Sequence, residues 1–395
     1  MAAVLIFLQI GTGLLLKFVY VPTPLGAYKS ILVLSHSVMF GRLLRNIHHW
    51  GANFLVLIIF LHMLRVFFTG AFHPPRQFTW VVGLGLFSLV LTANFTGYLL
   101  PYDQLAYWAV TVSTGMLEYI PVVGGLLQEI IRGGNEIGPA TLNIFFAIHT
   151  AVVPMGLIIL MAFHFWRIRK AGGLVIPKAP GEEIEERPNR VPTMPNLLLR
   201  ELTVTVVIIA VVMLVSVSFD APLGNSANPG LSPNPTKAPW YFAGLQELLL
   251  HLHPVFAVFI IPLVLGVALM GIPYMKYDTD AAGVWFVSVK GRRITLIAAV
   301  IVIIAAPMGI LADEFLIDFV ARLHGVPAII GNGVIPFALI FLGCAGFYIL
   351  IKHRYSATTS EVVQAIFVLI LFVFLIFTIT GIWFRGPGMK LTWPF

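Results

Sequence analysis

The sequence carries little charge and almost no cysteine. Of its 395 residues, 10% are charged, 17 acidic and 24 basic, and one is cysteine. Ordinary soluble domains are about 25% charged, so the chain does not read as one. The lone Cys344 rules out a disulfide framework and a thiolate metal site. Its place in a late apolar run makes it a small core residue. The opening MAAVLIFLQIGTGLLL has no basic residue ahead of its apolar run and is a poor signal peptide. It reads as the second half of a longer helix. No internal repeat and no low-complexity tract is present.

What the sequence holds in quantity is apolar length. Hydrophobic residues make up 59%. Nine runs approach the roughly 20 residues that a membrane span requires: about 1–19, 51–69, 79–100, 141–165, 198–218, 255–273, 294–312, 333–351 and 362–384. The expected fold class is an all-α polytopic membrane protein with about nine transmembrane helices, the first four forming a bundle. If the first span ends outside, 15 of the 24 basic residues, from Arg65 to Arg354, lie on inner connections. That excess follows the positive-inside rule, although Arg42 and Arg45 lie just ahead of the second span on the other side. The net charge of +7 is therefore topology, and nucleic acid is not an expected partner.

The least apolar stretch runs from Arg167 to Arg200 and holds GEEIEERPNR with Pro177, Pro180, Pro188, Pro192 and Pro195. It divides the chain into a four-span unit at 1–170, an inner-side linker at 171–197, a second unit at 198–318 and two further spans at 319–395. Two outer connections, Val112 to Pro139 and Asp220 to Phe242, exceed ordinary loop lengths, and long loops are often functional. Asp220 is expected to end its helix.

Histidines inside spans need a reason, because ionisable groups in a bilayer are costly. The second span reads NIHHWGANFLVLIIFLHML from Asn46 to Leu64. His48 and His62 are 14 residues apart, which puts them within about 40° of one face and about 21 Å apart along a helix. His49 falls about 140° from His62 and is expected at a surface or interface. In the fourth span His149 and His164 are 15 residues apart, about 60° around the helix and about 22 Å along it. The two spans run in the same direction. His48 therefore comes level with His149 near the outer surface, and His62 with His164 near the inner one. Two imidazoles at each level is the arrangement for bis-histidine haem ligation in a helix bundle. A single intramembrane histidine more often hydrogen-bonds a neighbouring helix, but four with matched spacing favour haem iron. Zinc is disfavoured because no Cys, Asp or Glu accompanies the pairs. A proton relay is disfavoured because these spans hold no carboxylate.

The neighbouring residues fit two flat buried cofactors. Arg45 precedes His48 by three residues and Arg65 follows His62 by three. Each is placed to pair with a haem propionate, or simply to snorkel at a span end. In the third span Gly83 and Gly97 repeat the spacing of His48 and His62, so they share a face at the same two depths. Gly13 suits the outer level in the first span, and its counterpart would precede Met1. Missing side chains there let a flat group approach the backbone; ordinary close helix packing is the alternative.

The stretches RNIHHWGANFLVLIIFLHMLRVF, GYLLPYDQLAYWAV, IPVVGGLLQEIIRGG and HTAVVPMGLIILMAFHFWRIRK resemble cytochrome b of the cytochrome bc complexes, over about residues 1–318. The spacing of His149 and His164 resembles the chloroplast and cyanobacterial type, which is normally split into two polypeptides at the linker. This continuous chain resembles a fused bacterial form, cytochrome b6 joined to subunit IV. Its last two spans, ending in WFRGPGMKLTWPF, lie outside the resemblance. The resemblance implies quinol oxidation on the outer side with a bifurcated electron path. One electron goes to a Rieske iron–sulfur protein and on to a c-type cytochrome. The other crosses the membrane through an outer b-type haem on His48 and His149 and an inner one on His62 and His164. Quinone is then reduced near the inner surface, and protons are translocated. A homodimeric complex in the bacterial cytoplasmic membrane is implied as well. A further covalent haem on the inner side would depend on residues before Met1.

By the same resemblance the quinol pocket lies between TVSTGMLEYIPVVGG, with Ile120 and Pro121, and KAPWYFAGLQELL, with Trp240 and Tyr241. The family's loop motif is Pro-Glu-Trp-Tyr; here it reads Ala238-Pro239-Trp240-Tyr241. Pro239 stands where the family has a glutamate that accepts a quinol proton, so that role does not carry over. The altered motif resembles versions that use menaquinol. Glu247 is the next carboxylate in the loop. A half-buried position is expected to raise its pKa into a range suited to accepting a proton; a solvated loop acid is the other reading. His251 and His253 are further candidates to relay protons. Trp240 and Tyr241 read as pocket lining more than as interface anchors. Arg169 and Lys170 match a basic pair beside the family's inner quinone site, or are positive-inside charge. The competing functions are the dihaem membrane anchor of a quinone-linked dehydrogenase and a non-redox transporter.

Overall fold

Each long apolar run becomes a helix, and local chemistry sets its ends. The structure is a computed structural model that describes residues 1–175, 192–277, 283–317 and 325–393. Most of the expected inner-side linker, including GEEIEERPNR, and the boundary at 318 lie outside the described residues. Along the chain the helices are α1 (Ala2–Lys17), α2 (Pro24–His36), α3 (Gly41–Phe68), α4 (Gln77–Leu99), α5 (Gln104–Gly115), α6 (Gly124–Arg132) and α7 (Pro139–Lys170). They continue with α8 (Thr193–Ser218), α9 (Trp240–His251), α10 (Val255–Tyr274), α11 (Val289–Phe315), α12 (Ile330–Tyr355) and α13 (Thr359–Trp383). Among the described residues, β structure is limited to isolated bridges. Eight helices (α3, α4, α7, α8 and α10 to α13) are long and apolar enough to cross a membrane. The chain is a multi-pass membrane protein. The expected first span is α1, apolar but only 16 residues long, or about 24 Å.

Thr23 starts α2 by accepting a hydrogen bond from Gly26 N–H at 3.0 Å, with Pro24 in the first helical position. Thr358 and Glu361 form a reciprocal capping box at the start of α13. Prolines reshape three spans. Ile148–Val152, Val255–Ile260 and Ile330–Val334 are π turns, and each ends two residues before a proline, Pro154, Pro262 and Pro336. Proline has no N–H, and its ring crowds the carbonyl four residues back, so the preceding turn widens. In α12 the carbonyl four residues before Pro336 belongs to Asn332, and it accepts instead from His253 N–H at 2.8 Å.

The first apolar core joins α1, α3, α4 and α7 through Leu5, Leu55, Val56, Val90, Val153 and Leu157, with Val212 of α8 packed on its side. A second core sits at the inner end. Phe67, Phe68, Phe72 and Trp80 of the first half meet Ile294, Ala298 and Ala299 of α11 and Val362, Ala365 and Val368 of α13. Close packing of this kind, rather than flight from water, holds helices together in lipid.

The long connection after α8 is tied to α2, α3 and the start of α5. Asp103 caps α5 by accepting from Ala106 N–H and also accepts from Gly224 N–H at 2.7 Å. Tyr28 donates to the Gly224 carbonyl at 3.0 Å. Asp220 lies beyond the end of α8 and anchors the loop to α3 through Arg42 at 3.0 Å and Asn46 at 3.0 Å. These bonds hold the loop after α8 against the N-terminal ends of α3 and α5.

Candidate functional site

α3 and α7 bring His48 and His149 together at the outer level. Their ring centres are 6.1 Å apart and their planes are at 79°. An iron held about 2.0 Å from one nitrogen of each ring requires ring centres about 6 Å apart. Protonation can be read from the partners. His149 Nδ1 lies 3.0 Å from the Ala93 carbonyl. A carbonyl only accepts, so Nδ1 carries the proton and Nε2 is bare. His48 Nδ1 lies 2.9 Å from Thr12 Oγ1, and Thr12 gives its own proton to the Leu8 carbonyl at 2.7 Å. Thr12 therefore accepts from His48 Nδ1–H, and His48 Nε2 is bare as well. Anchoring of one ring nitrogen fixes the orientation and basicity of the other, as metal-binding histidines require.

His149 sits inside the first π turn. A π turn holds one residue more than an α turn. The longer interval from His149 to His164 then matches the interval from His48 to His62 in α3, and the expected offset of about 60° closes to about 40°. His62 and His164 accordingly come level with each other on α3 and α7. His164 Nδ1 is buried without a hydrogen-bond partner, with the Thr79 backbone facing it from α4 at longer range.

A histidine ring lies against each of the three glycines, most tightly at Gly97 and at ordinary contact distance at Gly83. A Cβ at Gly97 would lie 2.6 Å from His149 Cε1, at Gly13 3.3 Å from His48 Cε1, and at Gly83 3.7 Å from His164 Cε1. Ala93 is four residues before Gly97 as Thr79 is four before Gly83. α4 thus repeats the spacing at both depths, but only the Ala93 carbonyl comes within hydrogen-bond distance of its histidine and only Gly97 is tightly covered by its ring. Neither Thr12 nor Ala93 was expected as a site residue. The repeat along α4 was visible in the sequence for Ala93, whereas nothing marked Thr12 beyond its place beside Gly13.

His49 joins neither pair; its ring stands edge-on to Trp50 at 5.0 Å, with Asn53 beside it. Arg45 donates to the Ala221 and Pro222 carbonyls at 2.8 and 2.6 Å, which ties it to the loop after α8. Arg65 is exposed near the inner end of α3.

α9 carries the expected pocket residues. Pro239 is its N-cap. Trp240 Nε1 donates to Asn53 Oδ1 at 2.7 Å, and Tyr241 packs against the four-helix core. Burial, and then the neighbouring Tyr98, push the Tyr241 phenol above its usual range, so it keeps its proton at neutral pH. Ile120 and Pro121 form the turn before α6, and the adjacent Tyr119 ring meets His253 at 6.4 Å. That contact lies past the C-terminal end of α9, whereas Tyr241 is in its first turn.

The expectation for Glu247 is corrected. It is fully buried and paired with Arg385 at 2.6 Å and His251 at 3.1 Å. Burial alone raises its pKa, but the hydrogen bonds from His251 and Arg385 and their charges outweigh burial and hold the carboxyl below the usual range. A carboxylate kept ionised by an arginine is a poor proton acceptor. For His251, burial lowers the pKa. Asp313, bonded at 2.6 Å, and Glu247 outweigh that and push it up to about 9.

This cluster makes stability depend on pH. Glu247, depressed when folded, stabilises above its ordinary value of 4.5, and that contribution is lost as pH falls through the folded value. His251, raised when folded, stabilises fully below 6.5, and that contribution is lost as pH rises through about 9. The groups facing it are Glu247, Asp313, Glu314 and Arg385. Thermal inactivation of the detergent-solubilised complex is expected to come at lower temperature as pH rises from 6.5 to 9. The loss is of the order of 3 kcal/mol. His251→Gln should flatten that slope, and an unchanged slope would show that His251 does not produce it.

At the inner end Arg169 and Lys170 line an open groove of about 530 Å³ with Ala162, Phe165 and Trp166. Lys170 Nζ stands 5.1 Å over the Trp166 ring.

Residues 1–172 match the family model described as cytochrome b/b6/petB. Cytochrome b6 of Synechococcus elongatus is 44% identical over 165 residues, 42% of this chain and 77% of that protein. Cytochrome b6 of Gracilaria tenuistipitata var. liui is 45% identical over 165 residues, with the same shares. Among solved structures, a chain titled "Hyperthermophilic respiratory Complex III" aligns at TM-score 0.67 and 23% identity, covering 96% of this chain and 88% of that one. At that identity the likeness shows a shared fold.

Proposed function

The chain belongs to the cytochrome b/b6 family of electron-transport proteins, and from that premise we propose that it is the membrane subunit of a bacterial quinol:cytochrome c oxidoreductase. In this reading it oxidises quinol at the outer side and reduces quinone at the inner side, coupled to proton translocation. The observation that carries the proposal is the outer histidine pair. Two rings with centres 6.1 Å apart each have Nδ1–H anchored and Nε2 bare. Two b-type haems, one on His48 and His149 and one on His62 and His164, would supply one-electron carriage between the two levels.

The chain's own residues set the conditions for that chemistry. Thr12 and Ala93 fix the ring orientation of the outer ligands. Gly13, Gly83 and Gly97 give the rings room. The bundle core of Leu55, Val90 and Val153 excludes water between the levels. In this reading Pro239, Trp240 and Tyr241 line the outer quinol pocket at the start of α9, and Ile120 and Pro121 belong to its other end, past the C-terminus of α9. Arg169 and Lys170 offer positive charge to a quinone being reduced at the inner end. The partners are a Rieske iron–sulfur protein and a c-type cytochrome, in a homodimeric complex of the cytoplasmic membrane. Menaquinol is favoured by the Ala-Pro-Trp-Tyr loop.

The test is optical. Anaerobic addition of menadiol, a soluble naphthoquinol, to the oxidised purified complex is expected to bring up b-type haem absorbance. A complex that contains b haem but stays oxidised under menadiol would overturn the quinol reading. The lack of any b haem would overturn the whole proposal.

A further inference from the structure

The end of α13 and the turn after it grip the α9 loop at five places. Gly244 of α9 lies flat on α13: a Cβ there would be 2.7 Å from Thr378 Oγ1 and 2.9 Å from the Phe374 ring. Gly381 returns the contact, with a Cβ that would lie 3.0 Å from the Ala243 carbonyl. Lys237 Nζ donates to the Ile382 carbonyl at 2.8 Å. Gly388 N–H donates to Asn234 Oδ1. Arg385 closes the grip. Its Nη2 donates to Glu247 Oε1 at 2.6 Å and its Nε to Oε2 at 3.0 Å. Its Nη1 donates to Glu314 Oε2 of α11 and to the Met389 carbonyl, both at 2.9 Å. Arg385 and Glu247 are shut off from solvent, at 2% and 0% exposure. On the other side of α9, Trp240 and Tyr241 meet α3 and the four-helix core.

We propose that Arg385 is the positioning residue of the outer quinol-oxidation loop, fixing α9 through Glu247 so that Trp240 and Tyr241 meet the histidine bundle in one register. The inference rests on the outer quinol site proposed above, and it gives the C-terminal spans a task. Arginine suits the role because its planar fork serves two carboxylates at once, which a lysine ammonium does not reproduce. It also assigns Glu247 to holding the helix in place of accepting a proton.

Chemistry separates those two roles. Breaking a buried ion pair from one side strands the other charge, whereas replacing both partners with apolar groups of similar size is often neutral. A clamp is therefore rescued by the double replacement, and a proton acceptor is not. The experiment measures the initial rate of b-haem reduction against menadiol concentration in the purified complex. It compares wild type, Arg385→Lys, Arg385→Met, Glu247→Met and the double variant Arg385→Met with Glu247→Met. Haem content serves as the folding control, and Arg385→Lys decides if Arg385→Met fails to assemble.

Each single variant is expected to keep both haems and to lose on the order of 100-fold in rate at limiting menadiol, as for a displacement of about 1 Å. The loss should fall mainly in KM, and the double variant should recover most of it. Single variants equal to wild type, or a double variant no better than Glu247→Met, would overturn the clamp while leaving quinol oxidation standing. A wild-type complex inert to menadiol would overturn the quinol reading, and this inference with it.

Discussion

His149→Ala is expected to leave the purified complex with one b-type haem in place of two, and so is His48→Ala. His62→Ala and His164→Ala should each remove the other haem, while His49→Ala should keep both. The separation follows from geometry. His48 and His149 face each other across 6.1 Å, whereas the His49 ring turns toward Trp50 and Asn53. The backbone is expected to survive His149→Ala, because the Ala93 carbonyl that the ring bonds also lies inside the continuous helix α4 and keeps its helical partner. The check is a reduced-minus-oxidised difference spectrum of each variant together with extracted haem per polypeptide. Loss of haem in His49→Ala, with haem retained in His48→Ala, would mean that the α3 register is wrong.

Gly97→Ala has the second large effect, and it comes from a single methyl group. A Cβ on Gly97 would stand 2.6 Å from His149 Cε1, 3.1 Å from Nδ1 and 3.2 Å from Nε2. The ring must move, yet it is fixed from two sides. Its Nδ1 is bonded to Ala93, and the backbone just after it is set in the core by buried Val153. Loss of such support around a metal-binding histidine typically costs about 10–100-fold in affinity, so Gly97→Ala should lose most of the outer haem. Gly83→Ala is the matched control, because a Cβ there meets His164 at 3.7 Å, an ordinary contact. Equal haem content in the two variants would show that the glycines serve general helix packing.

The histidine constellation was legible in the sequence because a helix converts residue spacing into angle and depth by fixed rules. The angular offset expected between His149 and His164 was a correct result for an unbroken helix. It failed to describe α7 because Pro154 lacks the N–H that would have kept the preceding turn tight, and the wider turn absorbs the odd residue. The glycine positions were legible from the same spacing, but not their neighbours, since period alone does not say whether a cofactor or a ring fills a gap. Glu247 was misjudged for a different reason. Its partner Arg385 is 138 residues away in the chain, so no local pattern distinguishes a half-buried base from one arm of a buried ion pair. Arg45 likewise found the Ala221 and Pro222 carbonyls, which belong to a loop that only the folded outer surface brings near. The nine apolar runs were visible as composition, yet the 16 residues of α1 fall short of a full span by length.

The most direct test of the central claim is the number of b-type haems per polypeptide in the purified complex, measured by pyridine haemochrome absorbance against quantified protein. Two per chain is the expected value, falling to one in His149→Ala and remaining two in His49→Ala. One haem or none in the wild-type chain would contradict the assignment of His48 with His149 and His62 with His164 as two ligand pairs.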